Sequence, residues 1–127
     1  MKILIIDECH YTRLGAIEFL KGNTGILSIG VESICDAINI FPIFSPDIIL
    51  VNLTNYGYRC EYNNQMELFI SLANQARIYM YINKPYPIGK TPIQLTNKDF
   101  ILSKQYLATL LERLKKMAPY DIQRYFF

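Results

Sequence analysis

Residues 2–6, KILII, form an apolar run behind a single lysine, and the run stops at Asp7 and Glu8. A strand with no polar residue facing either way must be covered on both faces, as a strand inside a parallel sheet is. From His10 to Lys21 the period changes. Tyr11, Leu14, Ala16, Ile17 and Leu20 stand three or four apart among Arg13, Glu18 and Lys21, and Gly22 and Asn23 supply a helix stop. The same switch recurs along the chain. Residues 26–31 read as a second strand. Ser33 then caps a helix through Ile34, Ala37, Ile38 and Phe41, which Pro42 and Pro46 close. Asp47 opens a third buried strand, IILVNL, whose apolar run ends at Asn52. A polar loop over 54–64 leads to a third helix marked by Met66, Phe69, Ile70 and Ala73. RIYMYI (77–82) is a fourth strand and DFILS (99–103) a fifth, and the prolines at 85, 87 and 92 with Gly89 shorten or disrupt any helix between them. Leu107, Leu110, Leu111, Leu114 and Met117 define a last helix that Pro119 ends.

Strands alternating with helices, joined by right-handed crossovers, give an α/β fold of three layers. The expectation is a doubly wound, five-stranded parallel sheet with a shortened or irregular fourth helix. At 127 residues there is room for one domain. Residues 1–117 are assigned to it and 118–127 to a tail or the start of a linker. The composition, 51% hydrophobic and 19% charged, supports a real core. A formal charge of +2 with scattered Lys and Arg argues against a dedicated nucleic-acid binder. The one basic cluster, Arg113, Lys115 and Lys116, reads as the solvated last turns of a helix. Cys9, Cys35 and Cys60 form neither a disulfide framework nor a zinc pattern, and are expected to be free buried thiols in a reducing compartment. The opening apolar run is too short for a signal peptide or a membrane span, so the location expected is cytoplasmic.

In doubly wound sheets a site forms at the carboxyl ends of the strands, where strand order reverses. The residues at those ends are Asp7, Glu8, Asn52, Ile82, Asn83 and Lys104. An acidic pair after the first strand, a Pro-Asp-apolar segment ending the third, and a lysine after the fifth resemble the receiver domain of bacterial two-component response regulators, whose fold is flavodoxin/CheY-like. The resemblance spans residues 2–117. DECHYTRLGAIEFL (7–20) and ILSKQ (101–105) look like the NarL/FixJ (LuxR-type) branch, and TRLG is similar to its RcsA/RcsB auxiliary regulators. The resemblance implies a site in which carboxylates hold a magnesium ion while an aspartate attacks phosphorus. Here Asn52 stands at the acceptor position, and a carboxamide has no anionic oxygen to attack with. The switch hydroxyl of the fourth strand is also missing, since Ile82 and Asn83 occupy its place. Lys104 survives, followed by Gln105 where proline is common, and is expected to pair with Asp7 or Glu8 as a structural ion pair. Lys84-Pro85 would put the family's lysine too early and is rejected. Neither a metal nor a cofactor is expected, and no catalytic residue is assigned.

Beside the core stripe of the last helix, Tyr106 adds one apolar position, and Tyr106, Leu110, Arg113 and Leu114 make a candidate dimer face. Tyr79 and Tyr81 share a strand face and Tyr56, Tyr58 and Tyr62 crowd one loop. Without a basic groove these tyrosines suit packing or protein contact better than base stacking. His10 reads as a cap or surface residue. The resulting expectation is a non-enzymatic pseudo-receiver that modulates transcription by association. It would act as a homodimer, or as a heterodimer with an RcsB-like regulator, and independently of phosphorylation. It could form the N-terminal part of a LuxR-type DNA-binding regulator, but residues 118–127 cannot themselves hold a helix-turn-helix. The rival expectation is a small-ligand or anion sensor built on the pocket around Asp7, Asn52 and Lys104.

Overall fold

The computed structural model describes residues 1–54, 67–73, 75–83 and 93–126, with the backbone alone over 118–126. Its strands are β1 (Lys2–Ile6), β2 (Leu27–Val31), β3 (Ile48–Asn52), β4 (Arg77–Ile82), β5 (Ile93–Gln94) and β6 (Asp99–Ser103). Its helices are α1 (His10–Leu20), α2 (Ile34–Phe44), α3 (helical over 67–72) and α4 (Leu107–Phe126), with a 3-10 turn at Lys104–Tyr106. The sheet order is β2-β1-β3-β4-β6-β5. The first five strands in that order are parallel, the doubly wound arrangement expected. One element is added to it. Ile93 and Gln94 pair antiparallel with Ile101 and Phe100, giving the sheet a sixth, edge strand. The expected irregular fourth helix falls on residues 84–92, outside the described residues.

Alternation along the strands divides the core in two. Ile3, Ile5, Leu50, Tyr79, Tyr81 and Leu102 face α1 and α4, where Ala16, Leu20, Leu107, Leu111 and Leu114 cover them. Leu4, Ile6, Ile49, Val51 and Ile78 face α2 and α3, and meet Ile34, Ala37, Phe41, Phe44 and Phe69. Central strands packed on both sides need apolar residues at every position, which is why KILII and IILV carry no alternation.

Two helix ends and one helix face differ from expectation. Pro42 does not close α2, although it lacks an N–H for the helix ladder. Phe41 and Phe44 are both buried, and the added turn is what carries Phe44 into the core. The helix stops at Ser45, in the left-handed region at φ 42°, whose N–H reaches the Phe41 carbonyl at 3.1 Å. Pro119 likewise does not end α4, whose backbone continues to Phe126. Arg113, Lys115 and Lys116 therefore sit mid-helix. Arg113 lies over the Tyr106 ring at 5.6 Å and Lys115 over the Phe19 ring at 4.5 Å. The third difference is in α1, where Ala16 and Leu20 are buried while Tyr11 and Leu14 point outward.

A close approach fixes how α1 meets the sheet. The stem of Arg13 lies across Gly30 of β2, where an added Cβ would come within 2.5 Å of Arg13 Cγ. Its head is held at the far end. Arg13 Nη1 donates to the Asp7 carbonyl at 2.6 Å, and Nη2 lies 3.7 Å from Glu32. With the head anchored, the stem has little room to yield. Gly30→Val is therefore expected to destabilise the fold by about 1–3 kcal/mol in urea melts, as overpacking does. In the Arg13→Ala background, which removes the two nearest atoms and leaves Ile17 Cδ1 at 2.9 Å, the same substitution should cost less.

Candidate functional site

β1 and β3 are neighbours, and β2 and β4 lie outside them, so strand order reverses between β1 and β3. Asp7 follows β1 and Asn52 ends β3, which places them on the two sides of the crevice such sheets open at their carboxyl ends. Asp7 is buried, with 1% of its surface exposed. A carboxylate that far from water needs donors on both oxygens. Oδ1 accepts from the Cys9 N–H at 2.8 Å and from Asn52 Nδ2 at 3.2 Å. Oδ2 accepts the hydroxyl proton of Tyr81.

The network continues through Asn52. Its Oδ1 accepts from the Thr54 N–H at 2.9 Å and from the Thr54 hydroxyl at 2.6 Å. Because a backbone N–H can only donate, the amide oxygen must face Thr54 and the amide nitrogen must face Asp7. The Thr54 oxygen in turn accepts the Asn83 N–H at 3.0 Å. Both sequence-assigned residues at the end of β4 thus lie beside the site without lending it a hydroxyl. Ile82 pairs with Ser103 in register, and Asn83 contributes its backbone.

Lys104 opens the 3-10 turn after β6, at the same end of the sheet as Asp7 and Asn52. Of the two pairings expected for Lys104, with Asp7 or with Glu8, the one with Asp7 is not formed. Tyr81 donates to Oδ2 from within the core, supplying a proton without bringing a second charge into the interior. The thiols also differ from expectation. Cys9 and Cys35 are exposed, at and just after a helix start, and Cys60 lies outside the described residues. The Cys9 thiol is held below its ordinary pKa, first by the Thr12 side chain. His10 is exposed, as expected, with Nδ1 3.2 Å from Arg13 Nη2.

The candidate dimer face needs correction. Tyr106, Leu110 and Leu114 are buried, because they complete the core over β4 and β6, and only Arg113 of the four is exposed. Of the tyrosines, Tyr79 stacks on Phe100 with ring centroids 5.0 Å apart, which is packing. Tyr56, Tyr58 and Tyr62 lie outside the described residues. Among the described residues no group of three or more His, Cys, Asp or Glu could hold a metal ion. A cavity of about 260 Å³ lies elsewhere, lined by Phe41, Pro46, Leu72 and Ala73 where β3 and β4 begin, at the end of the sheet away from Asp7.

The sequence reading missed Tyr81, Thr54 and Arg13. Tyr81 could have been found from register, since it pairs with Asn52 across β3 and β4. Thr54 stands two residues after Asn52, the spacing at which an Asn side chain turns back onto the chain.

The family model of the transcriptional regulator RcsA, N-terminal dimerisation domain, matches residues 2–122. Solved structures share the fold. A two-component transcriptional regulator AraC from Clostridium phytofermentans superposes with a TM-score of 0.65 at 15% identity, covering 98% of this chain and 96% of that one. The isolated REC domain of RcsB from Salmonella enterica serovar Typhimurium, solved with the phosphomimetic BeF3-, gives 0.62 at 16% identity, over 89% and 83%. A LuxR family DNA-binding response regulator from Silicibacter pomeroyi gives 0.51 at 21% identity, over 63% of this chain and only 62% of its own length. No curated protein matches the chain.

Burial, and then the Asp7 carboxylate, hold the Tyr81 phenol above its ordinary pKa. The phenol stays protonated in the fold at a pH where an unfolded chain's tyrosine has ionised. Its contribution is therefore complete below about pH 10 and is lost as pH rises beyond that. Tyr81→Phe should cost about 1–3 kcal/mol near neutral pH by stranding a buried carboxylate oxygen. In urea titrations the gap between wild type and variant should narrow above about pH 10, because only the wild type carries the ionisable group.

Proposed function

The chain belongs to the family of the N-terminal dimerisation domain of the transcriptional regulator RcsA, and on that premise we propose that it is a pseudo-receiver that pairs with a second receiver-fold domain and does so without being phosphorylated. The partner is another copy of this chain or an RcsB-like regulator, and the setting is cytoplasmic control of transcription. No reaction is assigned to the chain. Any DNA contact would be made by other parts of the assembly.

One observation carries the phosphate-independent part. The acceptor position holds the Asn52 carboxamide, and Asp7, the carboxylate that would otherwise face a metal ion, already receives three protein donors. A hard cation would have to displace those donors and would gain no charge from Asn52. The same occupancy weighs against the anion-sensor reading, because Asp7 and Asn52 are spent on one another and Asp7 puts a negative charge in the pocket.

The outward side of α1 supports association. Tyr11 is 84% exposed and Leu14 46%, with Phe19 on the same side of the helix. Gly15 lies among them, and a Cβ there would meet nothing within 4 Å. A mid-helix glycine costs roughly 0.5–1 kcal/mol relative to alanine, and nothing inside the monomer requires it. A bare backbone beside three apolar side chains suits the close approach of another helix. A face of this kind on a domain of a dimerisation family fits a second domain of the same fold.

Sedimentation of the chain alone, and mixed with an RcsB-like receiver, should give a dimer in at least one case. Leu14→Asp should weaken it by roughly a hundred-fold, the size expected for a central interface residue. Strict monomer behaviour in both would overturn the proposal. Gly15→Ala should stabilise the monomer by roughly 0.5–1 kcal/mol while weakening the dimer. Labelled acetyl phosphate should leave no acid-stable or acid-labile label at any position in the cleft. Incorporation there would refute phosphate independence.

A further inference from the structure

Among the described residues, the hydrogen bonds that join Asn83, Thr54, Asn52, Tyr81 and Cys9 to Asp7 all run toward that one carboxylate. The Thr54 hydroxyl has a single proton, which it gives to Asn52 Oδ1, so the bond from Asn83 can only be donated by the backbone N–H. The order from the end of β4 is then fixed. The Asn83 N–H donates to Thr54, Thr54 to Asn52, and Asn52 to Asp7, while Tyr81 and the Cys9 N–H close on Asp7 from β4 and from the start of α1. Aligned donors polarise one another, so the buried charge of Asp7 strengthens bonds that do not touch it.

We infer that Asp7, Asn52, Thr54 and Tyr81 form a permanently closed hydrogen-bonded latch, which ties the carboxyl ends of β1, β3 and β4 together as one cooperative unit. A phosphorylatable receiver would join these strand ends through a metal ion and a phosphoryl group. Here the joining groups are built into the chain and cannot leave. Tyr81 and Thr54 are positioning residues in this scheme. Tyr81 holds the carboxylate in place from inside the core, and Thr54 passes its pull to the backbone at Asn83. The inference rests on the phosphate-independent reading given above and adds what takes the place of the phosphoryl group.

Amide hydrogen exchange on the full chain tests the latch, because it reads single N–H groups at both ends of the network. In Tyr81→Phe, exchange at Thr54 and Asn83 should quicken by roughly ten-fold, the loss expected for one bond of a coupled set, although neither amide touches Tyr81. Tyr79→Phe makes the same chemical change two residues away on the same strand face, and should leave those two amides unchanged once corrected for global stability. Thr54→Val, a change of nearly equal volume on the outer part of the cleft, should quicken the Cys9 amide, which bonds Asp7 and not Thr54. If Thr54→Val loosens the Asn83 amide alone and Tyr81→Phe leaves Thr54 and Asn83 unchanged, or if Tyr79→Phe loosens the same amides as Tyr81→Phe, there is no latch. Failure of the underlying reading would be seen elsewhere, as label from a phosphodonor.

Discussion

A single buried charge organises the carboxyl end of this sheet. Asp7 lies at the end of a strand whose four preceding residues are as buried as it is, and nothing in that core can neutralise a carboxylate except hydrogen bonds. The protein meets the need with three neutral donors from three parts of the chain: the start of α1, the end of β3 and the end of β4. Had the counter-group been a lysine, the pair would have imposed two desolvation costs on the interior. A tyrosine satisfies the oxygen and also fills space, since its ring belongs to the core between the sheet and α4.

Fold and site are therefore less separable here than in an enzyme whose active groups line an open cleft. Tyr81 is core and site at once. Arg13 is too, for its stem covers Gly30 while its head holds the carbonyl of Asp7. The receiver architecture persists, with its strand order and its acidic pair, while the groups at the crevice have turned toward one another. The family's own description, a dimerisation domain, agrees with a scaffold kept for its surface.

The fold could be read in the sequence because strands buried on both faces leave an unmistakable mark: ILII after Lys2 and IILV after Asp47 admit no polar residue, and the helices between them change period cleanly. β5 left no mark. Two residues, Ile93 and Gln94, pair only because β6 offers them an edge. Prolines misled at both Pro42 and Pro119, where tertiary packing or helix continuity outweighed a local penalty. At the site, that residue 52 carries a carboxamide and not a carboxylate is plain in the sequence, since it is a matter of functional groups. The replacement of Lys104 by Tyr81 could not be read there. Which donor takes a buried oxygen depends on desolvation, and that is a property of the packed interior. The dimer-face reading failed for a similar reason: an apolar residue beside a core stripe can lie on either side of the boundary, and Tyr106 lies within.

The outward side of α1 has a consequence for how long such a protein lasts. Tyr11 and nearly half of Leu14 stay in water after folding, so the isolated chain forgoes that part of their stabilisation. A partner that covers them and binds only the native form adds about 2.7 kcal/mol at a hundred times its dissociation constant. For a marginally stable domain, that increment changes the fraction open to proteases by roughly a hundred-fold. Cellular abundance of the chain would then follow the supply of its partner, and an unpaired surplus would be cleared by turnover alone.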